Sequence, residues 1–291
     1  MKSLFAAFLL LLARPAAAAD PVAAELRRLK EDPRSIARRV LLRAPGARLE
    51  AVILRQEGDP PVERFFVFAH AKGKASLIHL HPALSSHAEL DALNAQGELP
   101  DLFEDRDRWL LYTTESPGVS GPRRFLNASL WRKGRFSPAF RPLPQGEAKD
   151  LDGDGKPEFL SWDQPLGQFF AVECRSFRSL AAARRGTVYR WKDSALVDVS
   201  ADFPKVFQAE DSRLEASIEG HDPRDTSRYG DFLSDAISLY YARERLGRAQ
   251  DGWGVLTRLL RPGLTDPGPV AACKEKILSD LRWHLEIPDY W

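Results

Sequence analysis

Hydrophobic and polar positions along the chain change period once, from strand-like to helix-like, close to Pro204. Before that point, short runs rich in aromatic, β-branched and aliphatic residues occupy 49–55, 62–70 and 75–81. They are separated by Gly58-Asp59-Pro60-Pro61 and Lys72-Gly73-Lys74. Strand-length runs joined by such turn chemistry predict an antiparallel meander. Further strands are expected at 109–114, 125–133, around Phe136, at 159–162 and as a hairpin over 189–199. Residues 22–30 read as a short charged helix interrupted at Pro33, a surface lead-in, and 85–107 as a polar, turn-rich connection.

Beyond Phe203-Pro204 apolar residues recur every three or four positions. Helices are predicted at 206–218, stopped by Gly220, and at 229–246. The second carries Phe232, Leu233, Ala236, Ile237, Leu239 and Tyr240 on one broad stripe and ends at Gly247. A shorter helix at 252–260 precedes Arg261-Pro262-Gly263, and Val270, Cys273, Ile277 and Leu281 mark a last one that ends before Pro288. The expectation is an α+β chain: antiparallel β hairpins over 20–203, then a helical C-terminal domain over 204–291.

An internal echo sits inside the β region. The strand at Trp109-Leu-Leu-Tyr112 precedes Trp131-Arg-Lys-Gly-Arg-Phe136, as Phe159-Leu-Ser-Trp162 precedes Trp191-Lys-Asp-Ser-Ala-Leu196. Each pair couples an aromatic strand to a hairpin with Trp and a large apolar residue five positions later, a supersecondary repeat. Two unrelated aromatic hairpins are the alternative reading.

Lys2, the apolar run 4–12 and Ala17-Ala18-Ala19 before Asp20 have the order of an export signal, so 1–19 is expected to be a leader and the mature protein periplasmic or secreted. No later stretch approaches the roughly 18 to 20 apolar residues of a membrane span. Removing Lys2 and Arg14 takes the net charge from +1 to about −1, which gives no field for nucleic acid. An oxidising compartment would allow Cys174 and Cys273, the two cysteines, to pair, although Cys273 also fits a free thiol on an apolar helix face.

The most chemical stretch is Asp150-Leu-Asp-Gly-Asp-Gly-Lys-Pro-Glu158. Asp150, Asp152 and Asp154 take positions one, three and five of a loop, the Lys156 carbonyl position seven and Glu158 position nine. Gly155 supplies the turn. Calcium takes roughly six to eight hard oxygens, and a glycine-rich backbone lets them converge. An EF-hand would carry glutamate at position twelve between helices, whereas Ser161 stands there among strand residues. The segment instead resembles the acidic loop of FG-GAP and VCBS-type repeats of integrin-like β-propellers. The resemblance implies calcium held by Asp150, Asp152, Asp154, the Lys156 carbonyl and Glu158, with a blade strand directly after the loop. One such loop predicts a partial, propeller-like or divergent β region, since a full propeller needs at least about four blades.

Other chemistry is thinner. His79 and His81 share one face of a strand and could offer two nitrogens to zinc, with Glu89 or Asp91 completing a hydrolase site; His70 and His87 lie nearby in sequence. Two histidines on a partly exposed sheet face are the competing reading. No Gly-x-Ser-x-Gly elbow, no cysteine with a local nucleophile signature and no glycine-rich phosphate loop occurs, so no catalytic residue is assigned. Asn127-Ala-Ser129 matches a glycosylation sequon, and Trp109, Tyr112, Trp131, Trp162 and Trp191 would suit either a glycan or peptide surface or a core. The functional expectation is an exported calcium-binding protein with a structural or binding role toward a protein or glycan. Zinc hydrolysis, and an interaction platform on the C-terminal helices, are the alternatives.

Overall fold

Strands form at every alternating run, and they group by hydrogen bonding into three consecutive antiparallel sheets. The computed structural model describes residues 20–59, 61–94, 97–118, 121–166, 182–221, 229–264, 266 and 268–288. The first sheet has the order β1 (Ile36–Ala44), β2 (Ala47–Gln56), β3 (Val62–Ala71), β4 (Lys74–Leu80). The second runs β5 (His87–Leu90), β6 (Arg108–Gly118), β7 (Gly121–Arg132), β8 (Arg135–Pro138), with β9 (Leu143–Pro144) also on β7. The third comprises β10 (Glu147–Lys149), β11 (Glu158–Asp163), β12 (Arg185–Lys192) and β13 (Ala195–Asp198). Among the described residues these sheets close neither a barrel nor a propeller.

The echo seen in the sequence is a threefold feature. His70 pairs with Ala75, Trp131 with Phe136 and Trp191 with Leu196, each across a two-residue turn that ends its sheet. Both turn residues have positive φ in all three: Lys72 and Gly73 at 48° and 74°, Lys133 and Gly134 at 49° and 79°, Asp193 and Ser194 at 52° and 63°. That is the type I′ turn, whose twist matches that of the flanking strands. The first copy lacks tryptophan, which hides it from a search on aromatic spacing.

The inner strands β2 and β3 are buried in unbroken runs because both of their faces are covered. On β2 and β3, Leu49, Ala51, Ile53, Phe65 and Val67 meet Leu110, Tyr112 and Trp131 of the second sheet. Their neighbours Val52, Leu54, Phe66 and Phe68 meet Val22 and Leu26 of α1 (Pro21–Arg28) on the other side. From β6, Trp109 and Leu111 turn the opposite way and pack with Phe159, Tyr189 and Trp191 of the third sheet. Val188 and Leu160 then face Phe203 and Phe207. Side chains at i and i+1 of one strand thus serve different layers.

Two strands lie where the sequence pattern predicts none. β1 lies between the lead-in helix and the first expected strand, where no element is predicted, and β5 lies in the expected polar connection. β1 carries Arg38, Arg39 and Arg43 and fully buries only Leu42, while β5 offers just Ala88 and Leu90 to the core, so neither shows a sustained apolar alternation.

The C-terminal helices are α2 (Pro204–Glu219), α3 (Tyr229–Arg245), α4 (Ala249–Leu260) and α5 (Gly268–His284), close to the predicted ranges. With α1 they make five among the described residues. The apolar stripe of α3 is consumed internally: Leu233, Ile237 and Tyr240 pack with Trp253 and Leu256 of α4 and Ile277 and Leu281 of α5, and Leu239 with Leu214 of α2. Arg243 binds Asp211 at 2.8 Å in a buried pair. The helices dock on the third sheet, where Arg245 donates to Gly186 O at 3.0 Å and Thr187 Oγ1 at 2.7 Å. Gly186 is what admits the contact, since a Cβ there would stand 2.7 Å from Trp162 and 2.9 Å from Phe207. Gly186→Ala is therefore expected to cost about 1–3 kcal/mol by overpacking, read as a lower urea midpoint with unchanged helix content by circular dichroism.

Candidate metal centre

The acidic loop is a hairpin connection. Lys149 and Glu158 pair across β10 and β11, and residues 150–157 bridge them. Asp side chains fold the loop by taking over backbone donors. Asp150 accepts from Gly153 N at 2.7 Å and Gly155 N at 3.0 Å, Asp152 from Asp154 N at 3.1 Å, and Asp154 from Lys156 N at 2.7 Å. Gly153 and Gly155 turn the chain at φ of 83° and 85°, a region L side chains adopt only with strain.

Three of the predicted ligands converge. Asp150, Asp152 and Glu158 each place a carboxylate oxygen within 4.8 Å of the others. Asp154 is outside that group, its Oδ1 held by Lys156 N. The Lys156 ammonium reaches back to Glu104, 3.2 Å away on the segment before β6. Glu158 differs from the aspartates in being almost wholly buried, and Leu151 N donates to its Oε2 at 3.0 Å.

A residue the loop spacing does not reveal completes the site. Arg190 of β12 donates through Nε to Glu158 Oε1 at 2.9 Å and through Nη2 to Asp152 Oδ2. Its guanidinium lies 5.1 Å from the centre of the Phe203 ring and 3.8 Å from Asp202. The hydrogen bond to Glu158 holds the Arg190 pKa above its ordinary value against the opposing effect of burial. Phe159 pairs with Tyr189, so Glu158 and Arg190 are neighbours across adjacent strands. That register, absent from the linear spacing, is the signal that finds it. The arrangement can bind a cation through hard oxygens, with Arg190 already neutralising part of the charge.

The histidines have a different partner. His79 Nε2 and His81 Nδ1 both lie 3.1 Å from the Tyr112 hydroxyl, across the interface of the first two sheets. Glu89 instead pairs with Arg38 at 3.2 Å, Asp91 accepts from Leu93 N, and His87 sits 3.4 Å from the buried Glu63. His70 bonds Glu50 at 2.9 Å. Among the described residues, Asp150, Asp152 and Glu158 are the one group of three or more such side chains whose ligand atoms converge.

Of the remaining candidates, Trp109, Tyr112 and Trp131 are core, and Trp191 packs against the core from a half-buried position. Asn127 is buried with its amide engaged, so the sequon is closed to a glycan in the fold. Cys273 is buried in the helical core and disulfide-bonded, and Cys174 lies outside the described residues, as do residues 1–19.

Fold and site together define an α+β stack of sheets and helices with an acidic hairpin loop. No family model, curated protein or solved structure matches the chain.

Two tests follow from these contacts. Arg190→Met leaves the buried Glu158 without its cation and is expected to cost about 2 kcal/mol. A fully buried pair would lose more, because this guanidinium is itself partly exposed. Burial, and then the neighbouring His81, push the His79 pKa down to about 4. The unfolded chain, near the ordinary 6.5, binds protons more readily below that pH. The His79 contribution to stability is thus most favourable above pH 6.5 and is lost as pH drops toward 4. This loss between pH 6.5 and 5 is about 1.5 kcal/mol, and urea midpoints for His79→Phe are expected to show a correspondingly shallower slope.

Proposed function

We propose that this is an exported protein whose 150–158 loop binds calcium, with the ion ordering a β hairpin and no bond-breaking chemistry. The observation that carries the reading is the convergence of Asp150, Asp152 and Glu158 on one point from a loop turned by two positive-φ glycines. The donor set suits a hard divalent cation, since it is all carboxylate oxygen with no imidazole or thiolate. Arg190 covers Asp152 and Glu158, so an ion shares or takes over those two oxygens as the guanidinium shifts toward Asp202. Asp154 and the Lys156 carbonyl complete the proposed shell. The loop connects two sheet strands and its Leu151 packs against the Phe203 and Phe207 cluster where sheet meets helix, which favours a structural role. The leader-like pattern of the first nineteen residues supports export.

Calorimetric titration of the mature protein with calcium is expected to give saturable heat. Calcium at about one hundred times its dissociation constant should add about 2.7 kcal/mol, or roughly 5–10 °C in melting temperature, reversed by EDTA. Asp150→Ala with Asp152→Ala should abolish both effects while leaving the helices folded. Saturable zinc heat with none from calcium, or no heat from either ion, would sink the assignment.

A further inference from the structure

A cavity of about 250 Å³ opens where the β4–β5 connection crosses the ends of β6 and β7. Its walls are apolar at Pro82, Leu84, Phe125 and Pro142, and polar residues share the lining, His81 and Asn127 among them. Asn127 is only 5 % exposed and uses its amide NH2 on Tyr112 O, Thr114 Oγ1 and Phe125 O. Its Oδ1 accepts from no group among the described residues. The oxygen is not among the buried atoms sealed away without a partner, so it is open to a donor that arrives through the cavity in place of water.

His81 is fixed from behind. Its Nδ1 is taken by the Tyr112 hydroxyl, which the His79 Nε2 also contacts, so Nε2 is the ring atom left to offer the cavity. The tyrosine hydroxyl has one proton between two neutral imidazoles: it donates to one and accepts from the other. Turning that proton around exchanges donor and acceptor on both rings, so His81 Nε2 can meet either kind of group. Glu115, also in the lining, disfavours an anion.

We propose that this cavity is a binding site for a small neutral ring molecule bearing one hydroxyl, a phenol-like ligand. Its hydroxyl donates to Asn127 Oδ1 and meets His81 Nε2, and its ring lies against Phe125, Leu84 and the two prolines. The volume suits one ring rather than a drug-sized molecule, whose pockets run from about 300 Å³ upward. The site is separate from the acidic loop and does not depend on a metal there.

The test is titration of the folded full-length mature protein with phenol, benzene and benzoate, followed by NMR at the Leu84 methyl and His81 ring resonances. Phenol is expected to saturate both signals and to bind about fivefold or more tighter than benzene, with benzoate weaker than phenol. His81→Phe, which leaves Tyr112 bonded to His79, should weaken phenol about fivefold and leave benzene unchanged. Ala83→Trp, at an exposed position bordering the cavity, should abolish both and decides the matter if His81→Phe does not fold. Absence of saturable phenol shifts at these residues, equal affinity for phenol and benzene, a phenol preference that survives His81→Phe, or phenol binding unaffected by Ala83→Trp would each overturn the proposal.

Discussion

Every sheet in this protein must bury both of its faces, and most of the remaining structure follows from that requirement. A lone four-stranded sheet covers only one side when it packs on a partner, so a second partner has to be supplied. Here the second sheet receives the first on one face and the third on the other. The outer faces of the end sheets are then closed by helices, α1 at one end and α2 at the other. Helices are placed at the ends of the stack because there no further sheet arrives. The docking contact of α2 is correspondingly close, with Phe207 seated where β12 has glycine in place of a side chain.

The same constraint explains what the sequence made legible. A strand buried on both faces reads as a dense apolar run, and Leu49 to Leu54, Phe65 to Phe68 and Trp109 to Tyr112 stand out for that reason. β1 and β5 lie at sheet edges, where one lateral neighbour and partial cover relax the demand for apolar residues. Arg38 and Arg39 on β1 satisfy themselves through Glu89, Glu50 and Asp20 instead. Charge on an edge strand also discourages further strand pairing, so the feature that concealed β1 has its own physical purpose. The helices were legible nearly throughout because the three-to-four period persists whenever one side faces a core.

The repeat was legible only in part. Its invariant is the type I′ turn geometry with a pair five residues apart, whereas its aromatic marker is present in two copies of three. Geometry is conserved among the sheets because each must reverse its last strand tightly. Tryptophan recurs only where a large side chain has a void to fill: Trp131 in the first inter-sheet core and Trp191 in the second. At the first sheet the equivalent His70 turns to Glu50, toward the side covered by α1.

The site shows the sharper limit of linear reading. Loop spacing groups Asp150, Asp152, Asp154 and Glu158 but carries no sign of how deeply each is buried. Their burial separates them. Glu158 begins β11 inside the protein, where an unpaired charge would be prohibitive, and Arg190 on the adjacent strand meets that demand directly. Asp150 and Asp154 remain in solvent and organise backbone amides. The internal ion pair already secures the core charge, so a bound ion can act only on the loop and on the balance between Arg190 and Asp202. Because Asp202 immediately precedes Phe203 and the start of α2, any movement of Arg190 is felt where the sheets meet the helices. The loop is thereby tied to the seam between the two halves of the fold, although β10, the strand that leads into it, is only three residues long.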